Sequence, residues 1–330
     1  MLNRQTFYNQ ELAELHVHVG GSIDPAIMWS IAHEQGIRLP TKNFWQFNDM
    51  MSIKNSLDWE NFHKMFALSE LIQSSPQAME RCVHEIIGGA YRHCNITLIE
   101  VSFNPMARNR GGERDLDHII LASLHGMERA LIEYPQVKAG LIFFLDRRLS
   151  IEKNSIILEK AIKYKNRGIV GIDFAGPNPA NAGFSYKPYK DLYLKARQAG
   201  LSTCVHAGEE GEAEEMLEAI EYLLPDRIVH GVKGYKSREV LTKLAKSGTV
   251  LAVCPTSNLK IGIVKDLKEL KAIFEAFKKY RVKFCINTDD PEFLLTDLLG
   301  EYKLLLSNNI LTKEDLLVAN RVAFENTFIR

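Results

Sequence analysis

Short runs of apolar and β-branched residues recur along the chain and alternate with segments of helical periodicity. The apolar runs predict eight strands, because buried strands read as four to eight such residues between turn signals. Their approximate bounds are 14–19, 96–103, 137–145, 169–176, 202–209, 227–232, 250–255 and 283–291. Helical periodicity is clearest at 155–165, 189–199, 212–223, 237–245 and 267–280. This alternation favours right-handed βα units around a parallel sheet, and eight units predict an α/β fold of the (β/α)8 TIM barrel type.

One connection is much longer than the others. About seventy residues separate the first and second predicted strands, which is too long for a loop without structure. Periodicity predicts helices there at 25–35, 61–71 and 76–93, so we expect a helical insertion (about 25–93) above the barrel mouth. The aromatic residues of this insertion either form an apolar lid or pack locally within it; they are Trp59, Phe62 and Phe66.

The rest of the chain shows no sign of a second domain. Residues 293–330 predict helices that close the ring, and no repeat, Pro-rich linker or low-complexity segment interrupts the sequence. A chain of 330 residues is a common length for a single α/β barrel. We therefore expect residues 1–330 to form one barrel domain.

Composition excludes several classes of protein. The hydrophobic fraction of 46% and the charged fraction of 25% are ordinary for a globular protein, and 41 basic residues balance 41 acidic residues. A neutral chain lacks the charge of a nucleic-acid-binding protein, so we expect no nucleic-acid partner and a small-molecule substrate that is neutral or whose charge is balanced locally. No apolar run reaches the length of a membrane span and no signal peptide is evident, so we expect a cytoplasmic protein with no membrane partner. The sequence gives no indication of the oligomeric state.

The cysteines indicate a reducing compartment. Their number is odd and none forms a CxxC pair, which argues against a disulfide framework or a redox motif. We expect five free thiols, at Cys82, Cys94, Cys204, Cys254 and Cys285.

Candidate metal ligands lie at the ends of four predicted strands. His16 and His18 are one residue apart, so a strand presents both imidazoles on one face. The pair alone is more typical of satisfied polar residues at a strand end than of metal ligands. His206 and Asp289 end two later strands, and the C-terminal strand ends of a barrel meet at one face. Three imidazoles, one carboxylate and a position left for water describe a catalytic site for one Zn²⁺ per chain.

Other polar residues at the same strand ends have two interpretations each. Glu209 is either a general acid–base residue or a solvated acid in the acidic run 209–212. His230 either orients water or is structural, and Asp290 either contacts substrate or caps the turn before a proline. Gly176 either admits a flat ligand close to the backbone or only forms a turn. Residues 254–258 are either part of the site or an ordinary polar loop.

Six motifs together resemble those of adenosine deaminases, in the same order along residues 14–291. They are His-Val-His-Val-Gly-Gly-Ser, Asp-Phe-Ala-Gly, His-Ala-Gly-Glu, Arg-Ile-Val-His-Gly, Cys-Pro-Thr-Ser-Asn and Asn-Thr-Asp-Asp-Pro. The resemblance implies hydrolytic deamination of a 6-aminopurine at C6, giving a 6-oxopurine and ammonia. It also implies that zinc is held by His16, His18, His206 and Asp289.

The resemblance further assigns roles in catalysis and substrate binding. Glu209 would protonate the purine N1, and His230 would position and help to activate the attacking water. Asp290 would contact N7, and the backbone of Gly176 would contact N3. The candidate substrate-binding residues are therefore Gly20, Ser22, Phe62, Phe66, Gly176 and Asp290.

Three departures from the adenosine deaminase pattern concern the substrate. Gly20 stands near the place where those enzymes usually carry an Asp that contacts the ribose 5′-hydroxyl, and the space left would admit a larger 5′ substituent. Pro177 replaces an acidic residue, and residues 100–105 read Glu-Val-Ser-Phe-Asn-Pro instead of Glu-Val-Arg-Phe-Ser-Pro. Relatives act on adenine, aminodeoxyfutalosine or N6-substituted AMP. For a phosphate-bearing substrate, Arg108 and Arg110 are candidate contacts.

Two other classes of function remain as alternatives. A binuclear amidohydrolase that cleaves an ester or amide commonly needs a modified lysine at the end of strand four, whereas residues 173–176 contain none. A purine-binding protein that has lost catalysis would be expected to lack a ligand, Glu209 or His230, and all of these residues are present. The sequence therefore favours a mononuclear aminohydrolase.

Overall fold

The computed structural model describes residues 7, 9–56, 59–110, 112, 115–177 and 184–330. Within α-helical residues 59–61 only the backbone is described. The side chain of Trp59, one of the three predicted lid aromatics, therefore lies outside the described residues.

All eight predicted strands are present. They are β1 (Leu12–His18), β2 (Ile96–Phe103), β3 (Lys138–Asp146), β4 (Ile169–Ala175), β5 (Ser202–Ala207), β6 (Arg227–His230), β7 (Val250–Val253) and β8 (Phe284–Ile286). The largest error concerns β8, which was predicted to reach residue 291. It ends early because the Asn287 side chain, rather than its backbone, accepts a hydrogen bond from the Leu15 N–H at 2.9 Å.

The strands form a parallel barrel in sequence order, β1 to β8. Each strand pairs in parallel with the next along the chain. The circle is completed beyond β8, where Asp289 forms a parallel bridge with Val17 of β1. This arrangement confirms the predicted (β/α)8 barrel.

Fourteen α-helices lie within the described residues. They are α1 (Pro25–Glu34), α2 (Phe44–Met50), α3 (Trp59–Ile72), α4 (Pro76–Cys94), α5 (Leu116–Glu133), α6 (Ile151–Tyr164), α7 (Lys190–Gln198), α8 (Ala213–Leu223), α9 (Arg238–Ser247), α10 (Pro255–Lys260), α11 (Leu267–Tyr280), α12 (Pro291–Leu294), α13 (Leu298–Ser307) and α14 (Lys313–Glu325). Helices α1 to α4 occupy the long connection between β1 and β2. The interpretation of residues 254–258 as a polar loop is wrong, because Pro255 begins α10.

Local sequence explains where several helices begin. The Asp24 side chain accepts a hydrogen bond from the Ala26 N–H, and Pro25 occupies the first helical position of α1, where no N–H is needed. Helix α14 begins with a reciprocal capping box between Thr312 and Asp315. These caps satisfy amide groups that the helices themselves leave without partners.

The helices bury an apolar layer against the outside of the barrel. One continuous cluster joins strand residues such as Val101 and Phe143 to helix residues such as Ile120 and Leu158, all of them fully buried. Helices α4 and α5 approach so closely that a Cβ on Gly126 would collide with the Glu80 carbonyl oxygen. Burial of this layer is the main favourable contribution to folding.

A buried ion pair inside the barrel connects distant strands. Arg227 of β6 lies 2.6 Å from Glu100 of β2, and their side chains are 1% and 0% exposed. Arg227 also donates to the Leu15 carbonyl of β1 at 2.8 Å. The second Glu100 oxygen accepts hydrogen bonds from the Thr327 hydroxyl and the Phe328 N–H, so the C-terminal residues pack against the barrel.

The five cysteines are free thiols, as predicted, and all of them are buried. None of the helices in the described residues combines the length and apolar character that a membrane span requires.

The Glu100→Gln substitution is expected to lower the free energy of unfolding by about 3–5 kcal/mol, because it leaves the Arg227 charge buried without a counter-charge. Urea unfolding followed by circular dichroism measures this loss.

Glu128→Gln is the matched control. Glu128 lies 2.6 Å from Arg167, the same separation, but both side chains are 42% exposed. The Glu128→Gln substitution is expected to lower the free energy of unfolding by no more than about 1 kcal/mol. Equal losses of unfolding free energy in Glu100→Gln and Glu128→Gln would show that burial does not determine how much an ion pair stabilises the protein.

Candidate active site

The four predicted metal ligands converge at the C-terminal face of the barrel. The Nε2 atom of His16 lies 3.1 Å from Oδ1 of Asp289, and Nε2 of His18 lies 3.4 Å from the same oxygen. The Nε2 atoms of His18 and His206 are 3.3 Å apart. Four donor atoms from β1, β5 and the segment after β8 therefore surround one point.

This arrangement fits a tetrahedral metal ion. Ligand bonds of about 2.0–2.1 Å in a tetrahedral site place neighbouring donor atoms about 3.3–3.4 Å apart. The three separations between these donor atoms, 3.1, 3.3 and 3.4 Å, agree with that spacing. Without a cation, close approach of imidazole nitrogens to one another brings no stabilisation unless one of them carries a proton. The donor set therefore fits a metal ion better than it fits a hydrogen-bonded cluster.

A second group of possible ligands overlaps the first. It consists of His16, His230, Cys254 and Asp289. The Cys254 thiol already has a partner, because it donates to the Ala252 carbonyl with Sγ 3.7 Å from that oxygen. This group also leaves His18 and His206 without a role. The first group, which is the predicted one, is the better candidate.

Two polar residues orient the candidate ligands. Asp173 of β4 places Oδ2 3.0 Å from Nδ1 of His206, which directs Nε2 of that imidazole towards the cluster. Ser257 of α10 donates to Oδ2 of Asp289 at 2.7 Å, which leaves Oδ1 for the cluster. Burial by itself would raise the pKa of Asp173, but the neighbouring imidazoles, His206 above all, lower it.

Glu209 and His230 lie together beside the cluster. Oε1 of Glu209 is 3.3 Å from Nε2 of His230, and Nδ1 of the same imidazole is 3.1 Å from the amide nitrogen of Asn258. An amide nitrogen donates, so Nδ1 accepts and the proton of the neutral ring lies on Nε2, facing Glu209. This assignment gives His230 a fixed tautomer.

Burial sets the protonation of the groups around the cluster. It raises the pKa of Glu209 well above its usual range, and the charge of Asp289 adds to the effect. Burial lowers the pKa of His230 to about 3, so this imidazole is neutral at pH 7. Burial also raises the pKa of Asp290, and its neighbours Asp289 and Glu209 raise it further. Glu209 and Asp290 are therefore carboxyl groups that can carry a proton near neutral pH.

The backbone is strained at two of these residues. His230 and Asp289 have φ angles of 62° and 69°, a region that side chains with a Cβ rarely adopt. His230 ends β6 and Asp289 follows β8, so both lie at the barrel mouth, where the turn directs their side chains inward. Strain of this kind persists only where the surrounding structure fixes it, and it is concentrated at functional sites.

A cavity extends outward from the cluster. It encloses about 890 Å³ of space between protein atoms, a figure that includes the solvent at its mouth. Gly176, Asp290, Glu209 and His230 line it together with aromatic residues of α3. The cavity therefore brings most of the predicted substrate-binding residues together with the candidate metal ligands.

Two of the three aromatic residues predicted for the lid line this cavity. Phe62 and Phe66 belong to α3, and their ring centroids are 5.2 Å apart in an edge-to-face arrangement. Phe66 also packs on Phe293, with a centroid distance of 5.3 Å. The two rings therefore pack locally and also face the cavity. Movement of α3 as a lid stays a prediction.

The space beside Gly20 is occupied, whereas the sequence predicts room for a larger 5′ substituent there. A Cβ on this residue would lie 2.7 Å from the Phe66 ring and 3.4 Å from Nη2 of Arg108. The missing side chain thus allows a ring and a guanidinium group to approach the backbone. Ser22 is not among the residues that line the cavity, and its hydroxyl donates instead to the His18 carbonyl.

Comparison with known proteins identifies the family. The family model for adenosine deaminase matches residues 12–330. This chain belongs to the adenosine deaminase family. It is accordingly a hydrolase that acts on carbon–nitrogen bonds of cyclic amidines, and the family is metal-dependent.

Individual relatives match over most of the chain. The adenosine deaminase of Vibrio vulnificus strain CMCP6 is 26% identical over 323 residues, which cover 98% of this chain and 95% of that protein. The structure of a zinc-bound amidohydrolase from Burkholderia ambifaria has a TM-score of 0.85 at 20% identity and covers 99% and 88% of the two chains. The N6-methyl-AMP deaminase of Arabidopsis thaliana has a TM-score of 0.84 at 21% identity, covering 99% and 95%.

Sequence reasoning missed several residues that organise the site of this adenosine deaminase family member. Arg147 is buried and donates to the Gly176 carbonyl at 2.8 Å and to the Tyr186 hydroxyl at 2.9 Å. Asp173, Ser257 and Asn258 were seen only as parts of motifs. Arg147 directly follows β3 at the catalytic face, so the rule that found the metal ligands would also have found it.

Asp173→Asn is expected to weaken metal affinity by about 10–100-fold, because the amide holds the His206 imidazole less firmly than the carboxylate does. Competition with a fluorescent chelator measures the dissociation constant.

Asp117→Asn serves as the control, because Asp117 lies on α5 and pairs with Lys160 at 2.6 Å, away from the cavity. Its metal affinity is expected to equal that of the wild type. Unchanged affinity in Asp173→Asn would instead remove this carboxylate from the metal site.

Proposed function

We propose that this family member deaminates a 6-aminopurine nucleoside at C6, with one zinc ion per chain, to give the 6-oxopurine and ammonia. The observation that carries the proposal is a single cavity bordered by His18, His206, Asp289, Glu209 and His230. These side chains come from four separate parts of the chain. Together they supply a metal site, a proton donor and an imidazole at one place.

Zinc is the metal that this donor set suits best. Three imidazoles and one carboxylate are typical of catalytic zinc sites, and the Burkholderia amidohydrolase with the same fold contains zinc. Bound at these four side chains, zinc supplies a Lewis acid that lowers the pKa of water towards neutrality.

Glu209 is the proposed proton donor to the purine ring. Its raised pKa allows the carboxyl to hold a proton near pH 7, and its side chain lines the cavity. Transfer of that proton to N1 draws electrons from C6 and makes this carbon more electrophilic. General acid catalysis of this kind contributes about 10²–10⁴-fold to a rate.

His230 is proposed to position the attacking water. Its Nδ1 is engaged by Asn258, so only Nε2 faces the cavity, and the ring is neutral at pH 7. Because the neutral ring carries no charge, it does not compete electrostatically with a bound cation. The fixed tautomer holds the water on one side of the purine plane.

The remaining contacts orient the purine. A protonated Asp290 carboxyl can donate to the N7 acceptor, which suits its raised pKa and the lack of a hydrogen-bond partner for its Oδ1 within the described residues. Gly176, with a φ of 93°, allows the backbone close to the ring edge near N3. Phe62 and Phe66 offer an apolar wall for the base and sugar.

The substrate itself is proposed from relatives and from the site together. Adenosine, deoxyadenosine and 5′-modified adenosines share the reacting C6 amine, as do adenine, aminodeoxyfutalosine and N6-substituted AMP. The Vibrio relative is named for adenosine and the Arabidopsis neighbour for N6-methyl-AMP. A panel of these compounds therefore tests the proposal. Formation of the 6-oxopurine is followed by ultraviolet absorbance and checked by the amine released.

Conversion of at least one 6-aminopurine by zinc-loaded protein is the expected result. No conversion of any compound, with one zinc bound per chain, would contradict the proposed reaction.

Glu209→Gln is expected to reduce kcat by about 10²-fold or more while metal content stays at one per chain, because an amide cannot supply the proton. Steady-state kinetics and metal analysis of the same preparation test both statements.

Glu212→Gln is the matched control in the same acidic run. Glu212 is exposed and pairs with Lys236 at 2.9 Å, so its turnover is expected to match the wild type. Wild-type turnover in Glu209→Gln would remove Glu209 from the mechanism.

A further inference from the structure

Four arginines border the cavity outside the metal cluster, and most are already paired. Arg110 lies 2.9 Å from Glu70. Arg148 forms a two-pronged ion pair with Asp146, with Nε 2.9 Å from Oδ1. These two positive charges are therefore balanced by neighbouring carboxylates. Arg147, as described above, is used to hold backbone and phenol oxygens.

Arg108 differs from the other three. Its residue is 2% exposed, and its Nε and Nη1 atoms have no hydrogen-bond partner in the part of the chain that the structure describes. Within the same residues it forms no ion pair. The nearby Cys82 thiol does not balance the charge, because burial raises its pKa to about 12 and keeps it neutral. Glu70, the carboxylate with the largest electrostatic influence on Arg108, already pairs with Arg110, and Asp290 has a weaker influence and forms no ion pair with Arg108.

A buried guanidinium without a counter-charge is costly to the folded protein. A buried charge that lacks its partner destabilises a folded protein, and arginine keeps its charge even where burial lowers its pKa, as it does here. Such a group becomes favourable when an anion binds beside it. The guanidinium fork matches the two oxygens of a phosphate or a carboxylate.

Gly20 makes Arg108 available to such an anion. A Cβ at Gly20 would lie 3.4 Å from Nη2 of Arg108, so an acidic side chain there would meet the guanidinium directly. Glycine supplies no such group. The protein therefore leaves one uncompensated cation in the cavity that also contains the metal cluster.

We propose that Arg108 binds an anion on the 5′ side of the substrate, so that the protein acts on a 6-aminopurine nucleoside with a phosphate or carboxylate at that end. This inference rests on the proposed function, because it assumes that the purine lies at the metal cluster. Arg108 then determines specificity: a neutral 5′-hydroxyl leaves its charge unbalanced, whereas an anionic substituent completes the ion pair.

The test compares substrates that differ only at the 5′ position. Zinc-loaded wild type and Arg108→Gln are assayed with adenosine 5′-monophosphate, adenosine 5′-carboxylate, adenosine and 5′-methylthioadenosine. We expect kcat/KM of the wild type to be at least tenfold higher for one anionic compound than for the neutral ones. In Arg108→Gln that preference should fall by at least tenfold, mainly through KM. The preferred anion identifies the group as phosphate or carboxylate.

Arg148→Gln is the matched control, because Arg148 also lines the cavity but is already paired with Asp146. Its anionic preference should stay within about twofold of the wild type. Arg108→Lys keeps the charge without the planar fork and should give an intermediate preference. Folding is checked by thermal melting, and loss of an unpaired buried charge should leave the Tm of Arg108→Gln at or above the wild-type value.

A binding measurement separates this inference from the proposed reaction. Calorimetry compares the binding affinities of inosine 5′-monophosphate and inosine. Both compounds are 6-oxopurines, so their binding is measured without any reaction. Conversion of neutral and anionic substrates with equal kcat/KM, or an equal loss for all substrates in Arg108→Gln, overturns the anion site and leaves the reaction standing. Tighter binding of the monophosphate, lost in Arg108→Gln, together with no conversion of any substrate, supports the anion site and overturns the reaction.

Discussion

The backbone of Asp289 is the point on which both the barrel and the site depend. His18 donates its N–H to the Asp289 carbonyl at 2.8 Å, and the Asp289 N–H donates to the His16 carbonyl at 3.3 Å. These bonds join the end of the strand circle to its beginning, and they also place a carboxylate beside two imidazoles. The positive φ of Asp289 allows its backbone to bond to β1 while its side chain faces the imidazoles, because a continued strand would direct that side chain elsewhere. Closure of the fold and assembly of the metal ligands are therefore one structural event.

The same type of side chain behaves in opposite ways within a few ångströms. Asp173 and Asp289 face imidazoles, and their pKa values fall despite complete burial. Burial raises the pKa values of Glu209 and Asp290, and nearby carboxylates raise them further; the imidazole beside Glu209 is that of His230, which burial keeps neutral. The site thus separates carboxyl groups that lose their protons readily, which suits a cation, from carboxyl groups that hold a proton more readily, which suits a hydrogen-bond acceptor. Position on the barrel rim, rather than residue type, decides which role a carboxyl group takes.

Much of this arrangement was predictable from the sequence, because one rule applies to every strand of such a barrel. Functional polar residues lie at the C-terminal ends of the strands. That rule located His16, His206, Glu209 and Asp289 without knowledge of tertiary contacts. It did not show that Asp173 orients His206, since a buried acid within a strand carries no sign of its partner. Helix α10 was missed because Pro-Thr-Ser-Asn is typical of loops, although Pro255 also suits a first helical turn. The ring of Phe66 beside Gly20 was unpredictable for the same reason as Asp173: the two residues meet only after the chain has folded.

The hydrogen bonds from Thr327 and Phe328 to Glu100 join positions that are more than two hundred residues apart. During synthesis, β2 leaves the ribosome long before these partners exist. Until they arrive, one oxygen of Glu100 must remain in water or find a temporary donor, so the interior of the barrel cannot become fully dry. Contacts at such separation also slow folding, because a long loop must be ordered before they form. A nascent chain of this protein therefore spends most of its synthesis as an incomplete barrel that depends on protection from aggregation.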